Sequence, residues 1–132
     1  MIRITSPATS EYNCVAWAFN DTRKVWWPEE DYYWPTPPPV FPTIDTFIET
    51  FSLMGYEQCD SNQFESGFQK IAIFGKSWDE PSHVARQLTN GVWASKMGPL
   101  VDIEHDLRQD LTNDFFLASY GPVRVIMKKA LQ

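Results

Sequence analysis

Cysteine and histidine are the residues of this sequence with the clearest potential for nucleophilic or metal chemistry. The 132 residues include two cysteines, Cys14 and Cys59, and two histidines, His83 and His105. Cys14 follows Asn13, a preferred N-cap residue, and precedes apolar residues at helical spacing, so the pattern predicts Cys14 at the start of a helix. The partial positive charge at that end favours the thiolate, which is the nucleophilic form of the side chain.

A nucleophilic cysteine also needs a proton acceptor, which is usually a histidine. His83 is predicted at the opening of a strand, where its ring can face a helix docked on the sheet. The structural alternative is that Cys14 is a small buried apolar residue. A zinc site is not expected, because no two of the cysteines and histidines have the short spacing typical of zinc ligand pairs, and no cofactor is predicted.

Two motifs carry a resemblance to a known superfamily. Asn-Cys-Val-Ala-Trp-Ala at residues 13–18 and Ser-His-Val-Ala at residues 82–85 resemble papain-fold cysteine peptidases of the NlpC and CHAP type. Further motifs, including Trp-Trp-Pro at 26–28, Trp-Ala-Ser-Lys at 93–96 and Asp-Ile-Glu-His at 102–105, are similar to a small bacterial domain family without an established substrate. The resemblance implies a papain-like fold, with Cys14 as nucleophile and His83 as general base.

The third catalytic residue has two candidates. The resemblance places it about a dozen residues after His83, which gives Ser95. A two-residue turn at 90–91 would put His83 on one face with Lys96, whereas a three-residue turn at 89–91 would put it on one face with Ser95. Asp102 is the other candidate, because a carboxylate orients an imidazolium better than a hydroxyl does.

The resemblance also implies an oxyanion hole at the start of the helix. Backbone amides there, including that of Cys14, would act with a side-chain donor. Papain uses a glutamine six residues before its cysteine, but Ala8 stands at that position here, so Ser10, Tyr12 or Asn13 would have to serve. Contacts with substrate are predicted for Tyr12, Asn13, Trp17 and Trp93.

The pattern of the remaining chain predicts which elements position these residues. After the first helix, residues 26–42 hold six of the ten prolines and six aromatic residues, which indicates an ordered irregular loop. A helix is predicted from Thr43 to a stop at Gly55. Strands are predicted at 56–59, 68–74, 82–88, 92–96 and 123–128, with a loop at 75–81 and a short helix at 104–111. Cys59 is expected to pack at a strand end, and His105 to cap or anchor the short helix.

Helices grouped before strands favour the α+β class, with N-terminal helices packed on a small antiparallel sheet in a single domain over 1–132. Hydrophobic residues make up 43% of the chain and the net charge is −6, so a nucleic-acid partner is not expected. No apolar run is long enough for a membrane span, and no signal peptide is recognised, so the prediction is a cytoplasmic protein.

The leading functional hypothesis is a cysteine hydrolase, a peptidase or amidase or a related acyl transferase, with a peptide or amide substrate. The alternatives are a catalytically inactive module that binds a protein partner, and a toxin or effector domain that modifies proteins. The pattern does not predict an oligomeric state.

Overall fold

The two helices begin and end at residues suited to those positions. In the computed structural model of the chain, which describes residues 3–6, 12–29, 31–37, 42–96, 102–105 and 120–131, α1 spans Cys14–Ala18 and α2 spans Ile44–Leu53. Asn13 caps α1, as predicted. Thr43 caps α2 through a reciprocal pair of hydrogen bonds with Thr46. Gly55 follows α2 with φ 100°, a conformation that glycine adopts at low cost.

The described strands form one antiparallel sheet of seven strands. Their order in the sheet is β1-β6-β5-β4-β3-β7-β2, so the α+β class is confirmed. Its strands are β1 Arg3–Ser6, β2 Glu57–Cys59, β3 Phe68–Ser77, β4 Glu80–Gln87, β5 Trp93–Lys96, β6 Asp102–His105 and β7 Val123–Ala130.

The central hairpin is longer than the sequence pattern predicts. Residues 75–81 were expected to form a loop, but β3 continues to Ser77 and β4 begins at Glu80. The prediction was wrong because glycine and proline are compatible with a strand where the ladder is irregular. The pairing passes from Phe74↔His83 to Gly75↔Pro81, which leaves Ser82 as the extra residue of a β-bulge. His83 is therefore the fourth residue of β4 rather than its first.

A second correction concerns residues 104–111. The expected helix is wrong at its start, because Asp102–His105 forms β6, whose backbone pairs with β5 on one side and β1 on the other. Hydrogen bonding to two neighbouring strands outweighs the local preference of four residues. His105 therefore lies in a strand, opposite Trp93. The rest of that predicted helix, 106–111, lies outside the described residues.

Side chains of the sheet divide between two apolar clusters. Both helices pack in the first, together with Ile73, Val84 and Val125. The second contains Ala72, Phe74, Ala85 and Trp93, with Tyr120 and Val123 against them. Because successive residues of a strand point to opposite faces, these clusters mark the two faces of β3 and β4.

The aromatic loop covers the helical face of the sheet. Its described part has no helix or strand and a single isolated bridge, between Trp26 and Tyr33, which agrees with the predicted irregular loop. Trp34 is buried, packs at a tilt against Phe47 of α2 with ring centroids 5.0 Å apart, and donates to Thr50. Tyr32 and Tyr33 are exposed. Most of this loop therefore serves packing.

We predict that Gly121→Ala strongly destabilises the fold, whereas Gly67→Ala costs much less. Both glycines have positive φ values, 78° and 87°, so alanine meets the same strain of about 1–2 kcal/mol at either position. A Cβ at Gly121 would also lie 2.5 Å from the Gly75 carbonyl oxygen, while a Cβ at Gly67 meets nothing within 4 Å. Urea denaturation should show a clearly larger loss for Gly121→Ala, and equal losses would contradict the close approach.

Candidate active site

Asn13 fixes the start of the helix that carries the candidate nucleophile. Its Oδ1 accepts hydrogen bonds from the amides of Ala16, at 3.1 Å, and Trp26, at 3.0 Å. Its Nδ2 donates to the Trp26 carbonyl at 2.7 Å. One side chain thus caps α1 and ties the aromatic loop to it, which holds Cys14 at the first position of the helix. An amide already donating to the Trp26 carbonyl is poorly placed to serve an oxyanion.

The contacts of α1 show which way it runs over the sheet. α1 packs on β4 and β5. At its C-terminal end, Trp17 lies under the guanidinium of Arg86, with Cζ 3.9 Å from the ring centroid, and Asn20 accepts from Arg86 at 2.8 Å. At its N-terminal end, the charge of Cys14 acts on Tyr120, whose ring stacks on His83. The helix therefore begins toward the His83 end of β4.

His83 has a defined partner on the neighbouring strand. Its Nε2 lies 2.8 Å from the Ser95 Oγ, and both side chains are fully buried. A buried imidazole without a hydrogen bond would be costly, so this contact fixes the orientation of the ring.

The register of the hairpin explains why Ser95 reaches His83. Arg86 pairs with Ala94 and Gln87 with Trp93, and the amide of Leu88 donates to the Val92 carbonyl at 2.7 Å. The turn is therefore the three-residue form at 89–91, one of the two alternatives considered, and this form puts Ser95 on the face of His83.

Two aromatic rings enclose the imidazole. Tyr120 stacks on it with centroids 4.2 Å apart and an angle of 10°, and Phe74 meets it edge-on at 5.2 Å. The hydroxyl of Ser82, the bulge residue, donates to the Tyr120 carbonyl and so anchors the covering ring. The bulge and the stack therefore belong to one local arrangement around His83.

Cys14 and His83 lie in different side-chain environments. Cys14 is 7% exposed and belongs to the cluster that includes Val84, whereas the His83 ring contacts Phe74 and Tyr120 of the other cluster. Strand alternation accounts for this, because Val84 and His83 are successive residues. Tyr120 neighbours both groups, so it marks the place where they approach each other.

The ionisation of Tyr120 reports on this arrangement. Burial, with a smaller contribution from the charge of Cys14, raises the pKa of its phenol to about 12. A negative charge beside a phenol disfavours the phenolate. The pKa of Tyr120 is therefore a probe of the distance between the thiol and the stacked rings.

The remaining residues that the sequence predicted for the site lie at several different places in the fold. The backbone of Asp102 pairs with Lys96, one step beyond the Ser95↔Ile103 pair. Trp93 is 2% exposed and so presents almost no surface to a substrate. Tyr12 is buried, its ring centroid 6.4 Å from that of Trp17. Cys59 ends β2 and is half-buried, as expected for packing at a strand end, and Ser10 lies outside the described residues.

Sequence reasoning missed two residues that the structure places at the site. Tyr120 covers His83, and Arg86 holds the C-terminal end of α1. Arg86 directly follows the Ser-His-Val-Ala motif at residues 82–85, and the side on which it contacts α1 follows from strand pairing. Tyr120 is 37 residues from His83 in sequence, so no local signal connects the two rings.

Comparison with known proteins identifies the family. A family profile described as "Domain of unknown function (DUF7689)" matches residues 3–128. The chain belongs to the DUF7689 family. No curated protein and no solved structure matches it. The DUF7689 match includes Asn13, Cys14, His83, Ser95 and Tyr120, so the whole candidate site lies inside the family domain.

Within the described part of this DUF7689 chain, no group of three or more histidine, cysteine or acidic side chains could hold a metal ion. The same residues include no helix that is long and apolar enough to cross a membrane.

We expect Asn13→Ala to destabilise the chain by about 1–2 kcal/mol, the usual cost of losing an N-cap. Asn13→Asp keeps an acceptor for the Ala16 and Trp26 amides and loses the donor to the Trp26 carbonyl, so its loss should be smaller. Urea unfolding monitored by tryptophan fluorescence gives both values. A larger loss for Asn13→Asp than for Asn13→Ala would show that the cap contributes little.

Cys14→Ser should lower the pH at which Tyr120 ionises, because serine does not carry the thiolate charge that disfavours the phenolate. The folded-state pKa of Tyr120, about 12, exceeds the unfolded value of about 10. The stabilisation is therefore complete below pH 10 and lost as the pH rises toward 12.

Ultraviolet difference titration should show this late phase together with that of Tyr56, whose pKa is also raised to about 12, and Tyr120→Phe should remove the Tyr120 contribution and so assign it. Cys59→Ser is the matched control, since Cys59 is not among the groups that act on Tyr120. An unchanged late phase in Cys14→Ser would mean that the thiol lies far from the Tyr120–His83 stack.

Proposed function

We propose that this DUF7689 domain is a papain-like cysteine hydrolase, a peptidase or amidase, or a related acyl transferase. Cys14 is the nucleophile, His83 the general base, and Ser95 the residue that orients the imidazole. The observation that supports this assignment most strongly is the 2.8 Å contact between His83 Nε2 and Ser95 Oγ. The two residues belong to β4 and β5, the strands on which the helix that begins with the cysteine packs.

The contact with Ser95 assigns a role to each ring nitrogen. If Nε2–H donates to Ser95 Oγ, the lone pair of the neutral imidazole lies on Nδ1, which is then the atom that takes a proton. The imidazole can therefore take the proton of the thiol at Nδ1, and the imidazolium and thiolate that result balance each other's charge.

The proposed reaction follows from these roles. The Cys14 proton moves to His83 Nδ1, and the thiolate attacks the carbonyl carbon of the substrate. The tetrahedral oxyanion is held by backbone amides at the start of α1, that of Cys14 among them. Its collapse breaks the C–N bond, and the amine leaves with the proton from His83. Water, or another acceptor, then attacks the thioester with His83 again as base, which releases the acid and the free thiol.

The β-bulge at Ser82 supports a meeting of the two groups at this end of β4. Bulges redirect side chains and are common beside active sites. Here the bulge immediately precedes His83, and the Arg124 guanidinium braces the same level of β3 through the Gly75 and Lys76 carbonyls, at 2.9 Å each. This local irregularity lies at the end of β4 toward which α1 begins.

A protein-binding module that kept the fold without turnover is the second candidate. It is favoured by the full burial of His83 and by its contacts with Phe74 and Tyr120 in the cluster that does not contain Cys14. On this reading the His83–Ser95 pair is a satisfied polar pair of the core. The two candidates differ in the reactivity of one thiol.

Alkylation of Cys14 tests the proposal. In a Cys59→Ser background, iodoacetamide should label Cys14 at pH 6 at least tenfold faster than it labels glutathione, because an ordinary thiol with a pKa of about 8.5 is almost fully protonated there. His83→Gln can keep a hydrogen bond with Ser95 but lacks a basic nitrogen, and it should reduce the rate to the level of the free thiol.

Ser95→Ala should give an intermediate rate, since the base remains but loses its orienting partner. Thermal unfolding of each variant controls for loss of the fold. A rate that rises only through pH 8.5 and ignores His83→Gln would contradict the enzyme and favour the binding module. Labelling of Cys14 that requires unfolding would equally contradict the enzyme, because a substrate carbonyl could not reach the sulfur in the folded protein.

A further inference from the structure

A separate cavity opens beyond the C-terminal end of α1. Its volume is about 260 Å³, and its lining includes the apolar side chains of Phe19, Trp26, Met54 and Tyr56 together with the cations Arg86 and Lys129. Cys14 is at the other end of the same helix. The cavity is therefore distinct from the proposed site of bond cleavage.

The charge of this cavity is opposite to that of the chain. The sequence has 17 acidic and 11 basic residues, yet the described lining has two cations and no carboxylate. Asp21 lies nearby, where it accepts from the Trp26 indole at 2.9 Å, but it does not line the cavity. The acidic residue Glu65 forms ion pairs with Lys70 and Lys128. Lys129 lies next to Tyr56, with its Nζ 5.9 Å from the ring centroid.

The guanidinium of Arg86 is held in place before any ligand arrives. It stacks on Trp17 and donates to Asn20 Oδ1. Asn20 has φ 64° and is the one non-glycine residue with positive φ in the described chain. Asparagine commonly takes this left-handed conformation directly after a helix, and here the conformation aims the side chain that positions a cation. A fixed guanidinium loses little entropy on binding an anion.

The aromatic walls supply the second part of a recognition surface. Phe19 stacks on Trp26 with centroids 5.1 Å apart and an angle of 6°, and it meets Tyr56 edge-on at 5.7 Å. Burial raises the pKa of Tyr56 to about 12, although the nearby charge of Arg86 opposes this. The hydroxyl of Tyr56 is therefore uncharged, can donate a hydrogen bond, and lies close enough to Arg86 to interact with its charge.

We propose that this cavity binds an organic carboxylate with a flat apolar body. The carboxylate would lie between Arg86 and Lys129, because a guanidinium offers paired donors that match its two oxygens. The apolar body would lie against Phe19 and Tyr56, where its burial adds affinity. The volume suits one aromatic ring with a short chain. This site does not depend on the proposed hydrolase, since none of the residues invoked here takes part in that reaction.

Calorimetric titration with N-acetylphenylalanine tests the site, with N-acetylphenylalanine amide as the neutral match. The acid should bind at least tenfold more tightly than the amide, as expected when a charge-assisted contact is lost. Lys129→Gln should weaken the acid roughly three- to tenfold and leave the amide unchanged. Lys76→Gln, which removes an exposed lysine outside the cavity lining, should have no effect.

Arg86→Lys keeps the charge and removes the planar fork, so it should weaken the acid more than Lys129→Gln does. Because Arg86 also supports α1, thermal unfolding of Arg86→Lys is measured together with its affinity. If Arg86→Lys is unfolded, Lys129→Gln alone provides the test. Equal affinity for acid and amide, or equal effects of Lys129→Gln and Lys76→Gln, would overturn the proposal. No binding of the acid at millimolar concentration would overturn it as well.

A second acid distinguishes the sources of the carboxylate. 3-Phenylpropionate has the ring and the anion without a peptide bond. Tighter binding of N-acetylphenylalanine would identify the C-terminal residue of a peptide as the ligand, whereas equal binding would identify a small aromatic acid, and either result supports the site. Alkylation of Cys14 measured on the same samples separates the two proposals, because Lys129→Gln keeps the Arg86 contacts that support α1 and should leave the alkylation rate unchanged.

Discussion

The hydrogen bond between His83 and Ser95 depends on the register of β4 against β5. Residues Arg86 and Ala94 are paired, and this pairing follows from a turn in which Gly91 takes φ 87°. A shift by one residue would reverse the face of every side chain on β5, so that Ser95 would leave the imidazole and Lys96 would take its place. A buried ring facing an ammonium group would lose its acceptor and gain an unfavourable charge. The register of β4 against β5 therefore decides which chemistry His83 can take part in.

Burial of the histidine pair has a cost that the surrounding rings offset. Full removal of an imidazole and a hydroxyl from water is tolerated because each satisfies the other, and because the stacked ring of Tyr120 excludes competing water. The same enclosure limits what the pair can do. A proton can leave or enter the ring only where another group touches it, and Tyr120, on whose phenol the charge of Cys14 acts, is one such group. Any catalytic role thus depends on the bulged end of the strand, where Ser82 interrupts the alternation.

Local signals in the sequence predict the helices well and the strand partners poorly. Thr43 and Gly55 bound α2 through short-range effects, capping at one end and a positive φ at the other, and Asn13 does the same for the start of α1. The turn at 89–91 was left with two alternatives, since both suit Asn-Gly and only the ladder distinguishes them. A helix was expected to begin at residue 104, because the strand character of Asp102–His105 comes from β1 and β5, which are distant in sequence. The contact between His83 and Ser95 followed from one of the two registers, whereas the Tyr120 stack could not be predicted from spacing at all.

The short helix α1 has a different task at each end. Its first residue carries the thiol, and its last turn lines the cationic cavity through Ala18, Phe19 and Asn20. Five residues cannot hold a position by helix propensity alone, so external contacts must do so: Asn13 with Trp26 at the start, and Trp17 and Asn20 with Arg86 at the end. A ligand that binds Arg86 would therefore affect α1, the helix that positions Cys14. The two ends are joined by a single short helix. A ligand that binds more tightly to one position of α1 than to another would therefore shift the position of Cys14 as well. This shift requires no contact between the ligand and the sulfur.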